Sequence, residues 1–301
     1  AGSLVQYRGH LRKFSVFTGD CSLHTALSKI SDYTLAMYNS GNVKTGTIND
    51  HIKTLKVFVD YCVKQKLIDK DLVGKIERAA NHGDDDTGNK PYTIEQMQAI
   101  IDYLCTHNKA GVITKRETYL TFVYAVLLCM CTGNRIEEVL QLQQSDIIFE
   151  NGFNCLSFRE TGTKTTAASR IVPIAKTIKD LYFMTYLQKI KNKDKIFNHY
   201  TTYIGALNFV LETLKIKSKR NEYGFHSYRH NVYTSLGTLE CSEIVRDNLI
   251  GHEHKGMGRT YAHPDSERLA VMDKYLSQLN TKIDFSKMKQ FLKSEIEYLY
   301  R

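Results

Sequence analysis

Several features are absent from this sequence, and each absence excludes a class of protein. No apolar run approaches the ~20 residues that a membrane-spanning helix needs, and no basic segment with an apolar core marks a signal peptide at the start. The seven cysteines form no Cys-x-x-Cys pair, and Cys129 and Cys131 fall in the apolar run VYAVLLCMC, as core thiols do. Repeats and low-complexity segments are also missing. We therefore expect a folded protein of the reducing cytoplasm with no membrane partner.

Acidic residues are too few to balance the basic ones. The net charge is +9 over 301 residues, and the segment 176–220 holds ten Lys or Arg against three Asp or Glu, which is +7 of that excess. A lysine-rich stretch is often only a solvated surface, but it also suits a nucleic-acid partner. The residues that we predict to contact DNA are Lys189, Lys191, Lys193, Lys195, Lys215, Lys217 and Lys219.

The first 80 residues are predicted to form a small helical domain. Apolar positions recur at helical spacing in TINDHIKTLKVFVDYC, at Ile48, Ile52, Leu55, Val59 and Cys62. The following segment, NHGDDDTGNKPYT at 81–93, contains two Gly, a Pro and an acidic run, which is typical of an interdomain linker.

A second domain is predicted for residues 94–283, and it is not purely helical. Thr93 and Gln96 form a capping box that starts its first helix. Alternating residues with Asn-Gly and Gly-Thr turn signals predict a three-stranded antiparallel sheet at 146–174. The fold class is therefore mainly α with a small antiparallel β-sheet (α+β).

The chain ends in an amphipathic segment at 284–301. Met288, Phe291, Leu292, Ile296 and Leu299 fall on one helical face. Such a tail packs either on a neighbouring protomer, which we favour, or on its own domain.

Histidines, an arginine and a tyrosine crowd into LIGHEHKGMGRTYAHP at 249–264. His252, His254 and His263 could be metal ligands together with His226 and His230, whose i,i+4 spacing is that of a helical zinc pair. Alternatively, Tyr261 could be a nucleophile surrounded by cations.

Four separated segments decide between these hypotheses. They are CTGNRIEEVLQL, GTKT, FHSYRH and LIGHEHKGMGRTYAH, and the tyrosine follows the Leu-x-Gly-His histidine by nine residues. Taken in this order they resemble the signature of the tyrosine recombinases, the family of phage and transposon integrases and of recombinases that resolve chromosome dimers. The helical first domain resembles the core-binding domain of that family in size and place.

The chemistry of a phosphodiester explains the arginines. Its transition state concentrates charge on the non-bridging oxygens, and a guanidinium stays charged and binds phosphate in a two-pronged manner, which suits Arg135 and Arg229. Glu138 lies three residues after Arg135 and could form only a surface ion pair worth ~0.3 kcal/mol. The resemblance implies a supporting role for Glu138 instead.

The other roles come from the resemblance alone. It implies that Tyr261 is the nucleophile, that His226 helps it to lose its proton, and that His252 hydrogen-bonds the scissile phosphate. Lys164 matches the general acid of the family, although its turn, TGTKTTAASR, is about a residue longer than the usual form.

No metal or cofactor is predicted. The helical zinc motif needs a glutamate after its first histidine, where this chain has Ser227, and Arg229 would place a cation beside the metal. A covalent 3′-phosphotyrosyl link stores the bond energy, so that rejoining needs no ATP.

The resemblance implies a site-specific recombinase or integrase, associated with the nucleoid and serving a mobile element. It would clamp double-stranded DNA between its two domains in a C shape and assemble with copies of itself from dimer to tetramer through a Holliday junction. Three alternatives stay open: a recombinase that resolves chromosome dimers, a type IB topoisomerase, and a non-catalytic DNA-binding factor.

Overall fold

A computed structural model describes residues 2–69, 76–77, 89–159, 169–197, 200–217, 222–252 and 266–301. The chain divides into two compact units, Ala1–Thr87 and Gly88–Arg301. In the described residues no helix is both long and apolar enough to cross a membrane.

The first unit is helical. Its helices are α1 (Gly2–Thr18), α2 (Leu23–Ser28), α3 (Ile30–Asn39) and α4 (Thr45–Lys64). The predicted periodic residues of α4 face its core, where Ile48, Ile52, Leu55 and Cys62 are each about 1% exposed. The helical prediction for this segment is therefore confirmed.

One polar cluster lies inside this unit. His51 is 2% exposed, its Nδ1 lies 2.9 Å from the Tyr33 hydroxyl, and its ring stacks on His10 at 3.8 Å between centroids. Burial, with the charges of His10 and Lys13, lowers the pKa of His51 to about 4. His51 is therefore neutral at neutral pH.

The second unit is built around one buried helix. Its helices up to the sheet are α5 (Ile94–Thr106), α6 (Arg116–Thr132) and α7 (Ile136–Leu140), with a short 3-10 helix at Gln144–Asp146. Nearly every residue of α6 from Tyr119 onward is buried, which explains its apolar sequence on all sides. The capping box of α5 is present, with Gln96 N donating to Thr93 Oγ1 at 3.2 Å and Thr93 N to Gln96 Oε1 at 2.9 Å.

The predicted antiparallel sheet is confirmed. Its strands are β1 (Ile147–Glu150), β2 (Phe153–Phe158) and β3 (Arg170–Pro173), in that order across the sheet. The Asn-Gly turn between β1 and β2 has positive φ at both residues, +47° at Asn151 and +86° at Gly152, as the two-residue hairpin turn requires. Residues 160–168, which carry Lys164 between β2 and β3, lie outside the described residues.

Helices complete the second unit after the sheet. They are α8 (Lys176–Asp180), α9 (Phe183–Lys189), α10 (Tyr200–Thr213), α11 (Phe225–Thr238), α12 (Glu243–Ile250), α13 (Ser266–Gln278) and α14 (Ser286–Leu299). Helix α11 packs along α6, and α12 packs on α11 and β3.

Two sequence-based boundaries differ from the structure. The predicted linker extends to residue 93, yet Tyr92 is 3% exposed and its hydroxyl donates to Gly224 O at 3.0 Å, so it belongs to the second unit. The sequence favours a tail that docks on a neighbour, but α14 packs in cis on α5 and α6. Met288 and Leu292 are fully buried there, and Glu295 pairs with Arg116 at 2.6 Å.

Candidate active site

The Thr-Gly-Asn-Arg segment forms a tight turn between α6 and α7. Gly133 ends α6 in the left-handed conformation (φ +68°), and its amide donates to Cys129 O at 3.0 Å. A Cβ on Gly133 would lie 2.9 Å from the Val232 side chain, so α11 can approach only a glycine here. The turn places Arg135 immediately before α7.

Glu138 holds Arg135 from behind. Its carboxylate accepts hydrogen bonds from the Arg135 amide and from Arg135 Nη1, each at 3.0 Å. The Glu138 side chain is 9% exposed, whereas that of Arg135 is 40% exposed. Burial alone would raise the pKa of Glu138, but the guanidinium groups of Arg170 and Arg135 hold it below its usual value. This is a buried orienting contact and not a surface ion pair.

Arg229 lies between two turns of the backbone. It is 3% exposed on α11 and donates to the carbonyl oxygens of Gly133 (3.1 Å), Ile250 and Gly251 (3.5 Å). Burial and the nearby charge of Arg135 lower its pKa to about 9, so it remains a cation at neutral pH. Arg135 Nη1 also donates to Gly251 O, at 3.3 Å. The two predicted phosphate-binding arginines therefore meet at one carbonyl oxygen.

His252 follows that carbonyl directly. Its amide donates to Asp247 O at 3.0 Å, and its Nδ1 lies 3.5 Å from the buried carboxylate of Asp247. Partial burial and the charge of Arg229 lower the pKa of His252, while Asp247 opposes that shift. The ring is 43% exposed, so a ligand at the surface can reach it.

His226 lies at the start of α11, about one turn before Arg229. Its ring is exposed and meets His230 edge-to-face at 4.9 Å between centroids. Partial desolvation, His230 and Arg229 lower the pKa of His226 below 6.5. A neutral imidazole at neutral pH can accept a proton, as a general base must.

The structure thus brings Arg135, Glu138, Arg229 and His252 together, with His226 one helical turn away. Lys164 and Tyr261 lie outside the described residues, and so do His254, His263 and Lys219. Within the described ranges no group of three or more His, Cys, Asp or Glu is arranged to hold a metal ion.

The predicted DNA-binding lysines do not form one group around these arginines. Lys193 pairs with Glu117, and Lys189 Nζ donates to Tyr300 O at 3.0 Å. Glu117 lies in the first turn of α6, at the opposite end of a 17-residue helix from Arg135, which corresponds to about 25 Å. Lys217 donates to Asn208 Oδ1 on α10 at 2.6 Å.

Two residues that contact this site were not among the predicted ones, Arg170 and Asp247. Arg170 is the first residue of β3, and its Nη2 donates to Glu138 Oε2 at 2.8 Å. The available signal was an arginine that opens an otherwise apolar strand, RIVPI, opposite a phenylalanine. Asp247 precedes the Leu-x-Gly-His histidine by five residues, and no short motif marks it.

The fold resembles solved DNA-recombining enzymes. The Tn1549 transposon integrase in complex with transposon right-end DNA superposes with a TM-score of 0.61 at 16% identity, over 100% of this chain and 94% of that one. A λ integrase dimer bound to a COC′ core site gives a TM-score of 0.59 at 14% identity, over 94% and 91% of the two chains.

Sequence comparison gives a relative and a family. The tyrosine recombinase XerH of Helicobacter pylori (strain ATCC 700392 / 26695) is 25% identical over 149 residues, which are 48% of this chain and 41% of that protein. The alignment thus spans less than half the length of this curated relative. The phage integrase family model matches residues 92–268, the segment that holds all the residues of the site. The chain belongs to the phage integrase family.

Proposed function

We propose that this chain is a site-specific DNA recombinase that cleaves and rejoins DNA strands through a covalent 3′-phosphotyrosyl link at Tyr261. One observation carries the proposal: the guanidinium groups of Arg135 and Arg229 converge on Gly251 O, next to His252. Two fixed cations and an imidazole at one surface suit a single phosphodiester.

The arginines act on the non-bridging oxygens of the scissile phosphate. Arg135 is half-exposed and held at its base by Glu138, so its remaining N–H groups can turn to an incoming phosphate. Arg229 is buried and stays charged, and it directs positive potential toward the same point. Because these cations are fixed before the reaction, little reorganisation is needed when charge develops.

The proton transfers follow from the remaining groups. The Tyr261 oxygen attacks phosphorus and loses its proton to His226, whose neutral ring can accept it. The bond from phosphorus to the 5′-oxygen breaks, and Lys164 gives a proton to that leaving oxygen. Rejoining reverses these steps with the 5′-hydroxyl of another strand, so the total number of phosphodiester bonds is conserved without ATP or metal.

Duplex DNA and further copies of this chain are the proposed partners. The TM-scores near 0.6 with DNA-bound integrases support a shared scaffold, and one of those structures is described as a dimer on its DNA site. We propose that the helical domain of residues 1–80 binds DNA, that residues 94–283 carry the chemistry, and that exchange passes through a Holliday junction. A mobile element is the proposed biological context.

A capture experiment that offers the protein many DNA sequences at once tests the proposal. The full chain is incubated with a library of nicked duplexes, so that the short fragment released by cleavage diffuses away and the covalent complex accumulates. Strands that stay on the protein through denaturation are sequenced. Enrichment of one sequence is expected, whereas the lack of any denaturant-resistant complex would refute the proposal. Relaxation of a plasmid that lacks the enriched sequence would indicate a type IB topoisomerase instead.

A further inference from the structure

A third arginine, Arg170, lies behind the two arginines of the site. Its side chain is only 7% exposed, and the Phe158 ring lies 4.6 Å from its guanidinium carbon. It is therefore too buried to contact DNA. A buried guanidinium needs a partner for each of its N–H groups, and those partners show what it holds together.

Arg170 holds the turn that carries Arg135. Its Nη2 donates to Asn134 Oδ1 at 2.7 Å and to Glu138 Oε2 at 2.8 Å, and its Nη1 donates to Glu138 Oε1 at 3.3 Å. The Glu138 carboxylate is thus shared by a buried arginine on one side and a half-exposed one on the other. The position of Arg135 depends on Glu138, and that of Glu138 depends on Arg170.

Arg170 also holds the turn that precedes His252. Its Nε donates to Leu249 O at 3.2 Å. Gly251 packs against the same guanidinium so closely that a Cβ would lie 2.6 Å from Arg170 Nη1. Gly251 O in turn accepts hydrogen bonds from Arg135 and Arg229. One buried side chain therefore contacts both turns between which the phosphate-binding arginines lie.

We propose that Arg170 is a positioning residue for strand cleavage. It fixes the turn of residues 134–138 against the turn of residues 249–251, so that Arg135 and Arg229 meet the same phosphate. The inference rests on the proposed function and adds a residue that touches no reacting atom.

The test compares two arginine-to-lysine variants of the full chain. Arg170→Lys keeps the charge but loses the two-pronged contact with Glu138. Arg116→Lys is the matched control, because Arg116 also makes a two-pronged pair with a buried glutamate, Glu295, at 2.7 and 2.6 Å. Arg116 begins α6, so it lies about 25 Å from Arg135. Both variants lose the same kind of contact, but only one contact supports the site.

The readout is covalent cleavage of two nicked duplexes that carry the captured sequence. One has a normal scissile phosphate, and the other has a neutral methylphosphonate, which lacks the negative charge that arginines stabilise. On the phosphate, Arg170→Lys is expected to cleave ~10²-fold more slowly than the wild type, as after loss of a preorganised charge-stabilising group. On the methylphosphonate the deficit should shrink below about tenfold, as for Arg135→Lys. Arg116→Lys should cleave both substrates at the wild-type rate.

A role in stability alone would lower both rates by the same factor, because it changes only the folded fraction. That result, or wild-type cleavage by Arg170→Lys, would overturn the inference. If Arg170→Lys does not fold at the assay temperature, Glu138→Gln replaces it, because this variant removes the charge that Arg170 grips with little change of shape. The same charge-dependent deficit is expected. Failure of the wild-type chain to form any adduct would refute the proposed function itself.

Discussion

Gly251→Ala offers a quantitative test of the packing behind the site. Gly251 has φ +71°, and a Cβ there would lie 2.6 Å from Arg170 Nη1 and 2.7 Å from its Cζ. The left-handed conformation costs an alanine about 1–2 kcal/mol, and the stiffer unfolded chain returns about 0.4–1 kcal/mol. Displacing the guanidinium also weakens hydrogen bonds to a charged group, each worth about 1.5–3 kcal/mol. We therefore expect a loss of about 3 kcal/mol in the free energy of unfolding.

Gly152→Ala is the matched control for the backbone term. Gly152 also has positive φ, +86°, and lies in the same unit, but a Cβ there meets nothing within 4 Å. It should lose only about 1 kcal/mol, because only the conformational cost remains. Urea denaturation followed by circular dichroism gives both values from the midpoints and slopes. Equal losses for the two variants would refute the contact between Gly251 and Arg170.

Further predictions concern phosphate, DNA, metal and acid. Arg135→Lys and Arg229→Lys should each cleave ~10²- to 10³-fold more slowly with DNA affinity nearly unchanged, and wild-type cleavage would remove that arginine from the site. Glutamine at predicted DNA-binding lysines should lower the slope of log affinity against log salt by about 0.9 for each lost phosphate contact; an unchanged slope would place the DNA elsewhere. EDTA should leave cleavage at full rate, and rescue by zinc after inhibition would return His226 and His230 to consideration as ligands. Because the pKa of His51 is about 4 when folded and about 6.5 when unfolded, the unfolded chain binds more protons between these values. The first unit should therefore lose up to about 3 kcal/mol of stability as the pH falls from 6.5 to 4, measured by urea denaturation, and His51→Gln should remove that dependence.

Local patterns were sufficient for the elements of the fold. The alternation and the Asn-Gly signal predicted the sheet because a two-residue turn needs positive φ at both positions, which Asn151 and Gly152 have. The capping box likewise placed the start of α5 at Thr93. Such features depend only on neighbours in the chain. The cis packing of α14 depends on the pairing of Glu295 with Arg116, 179 residues away, which no periodicity reveals.

The same distinction applies to the site. Arg135, Glu138, Arg229 and His252 could be found because their motifs preserve spacing within single turns or helices. Arg170 could not be assigned, because its partners Asn134, Glu138 and Leu249 lie 32 to 79 residues away along the chain. A buried arginine and a solvated one are identical in sequence, and only the fold distinguishes them.

The central claim is that Tyr261 forms the covalent bond to DNA. Tyr261→Phe removes one oxygen and leaves the ring, so the fold and the DNA affinity should persist in a native gel shift. On a denaturing gel with nicked DNA, the wild-type chain should carry a covalently bound strand and the Tyr261→Phe chain should carry none. Tyr275, on α13, serves as the comparison, and its phenylalanine variant should still form the adduct. A denaturant-resistant adduct with Tyr261→Phe would contradict the assignment and would make Tyr275 the first alternative nucleophile to test.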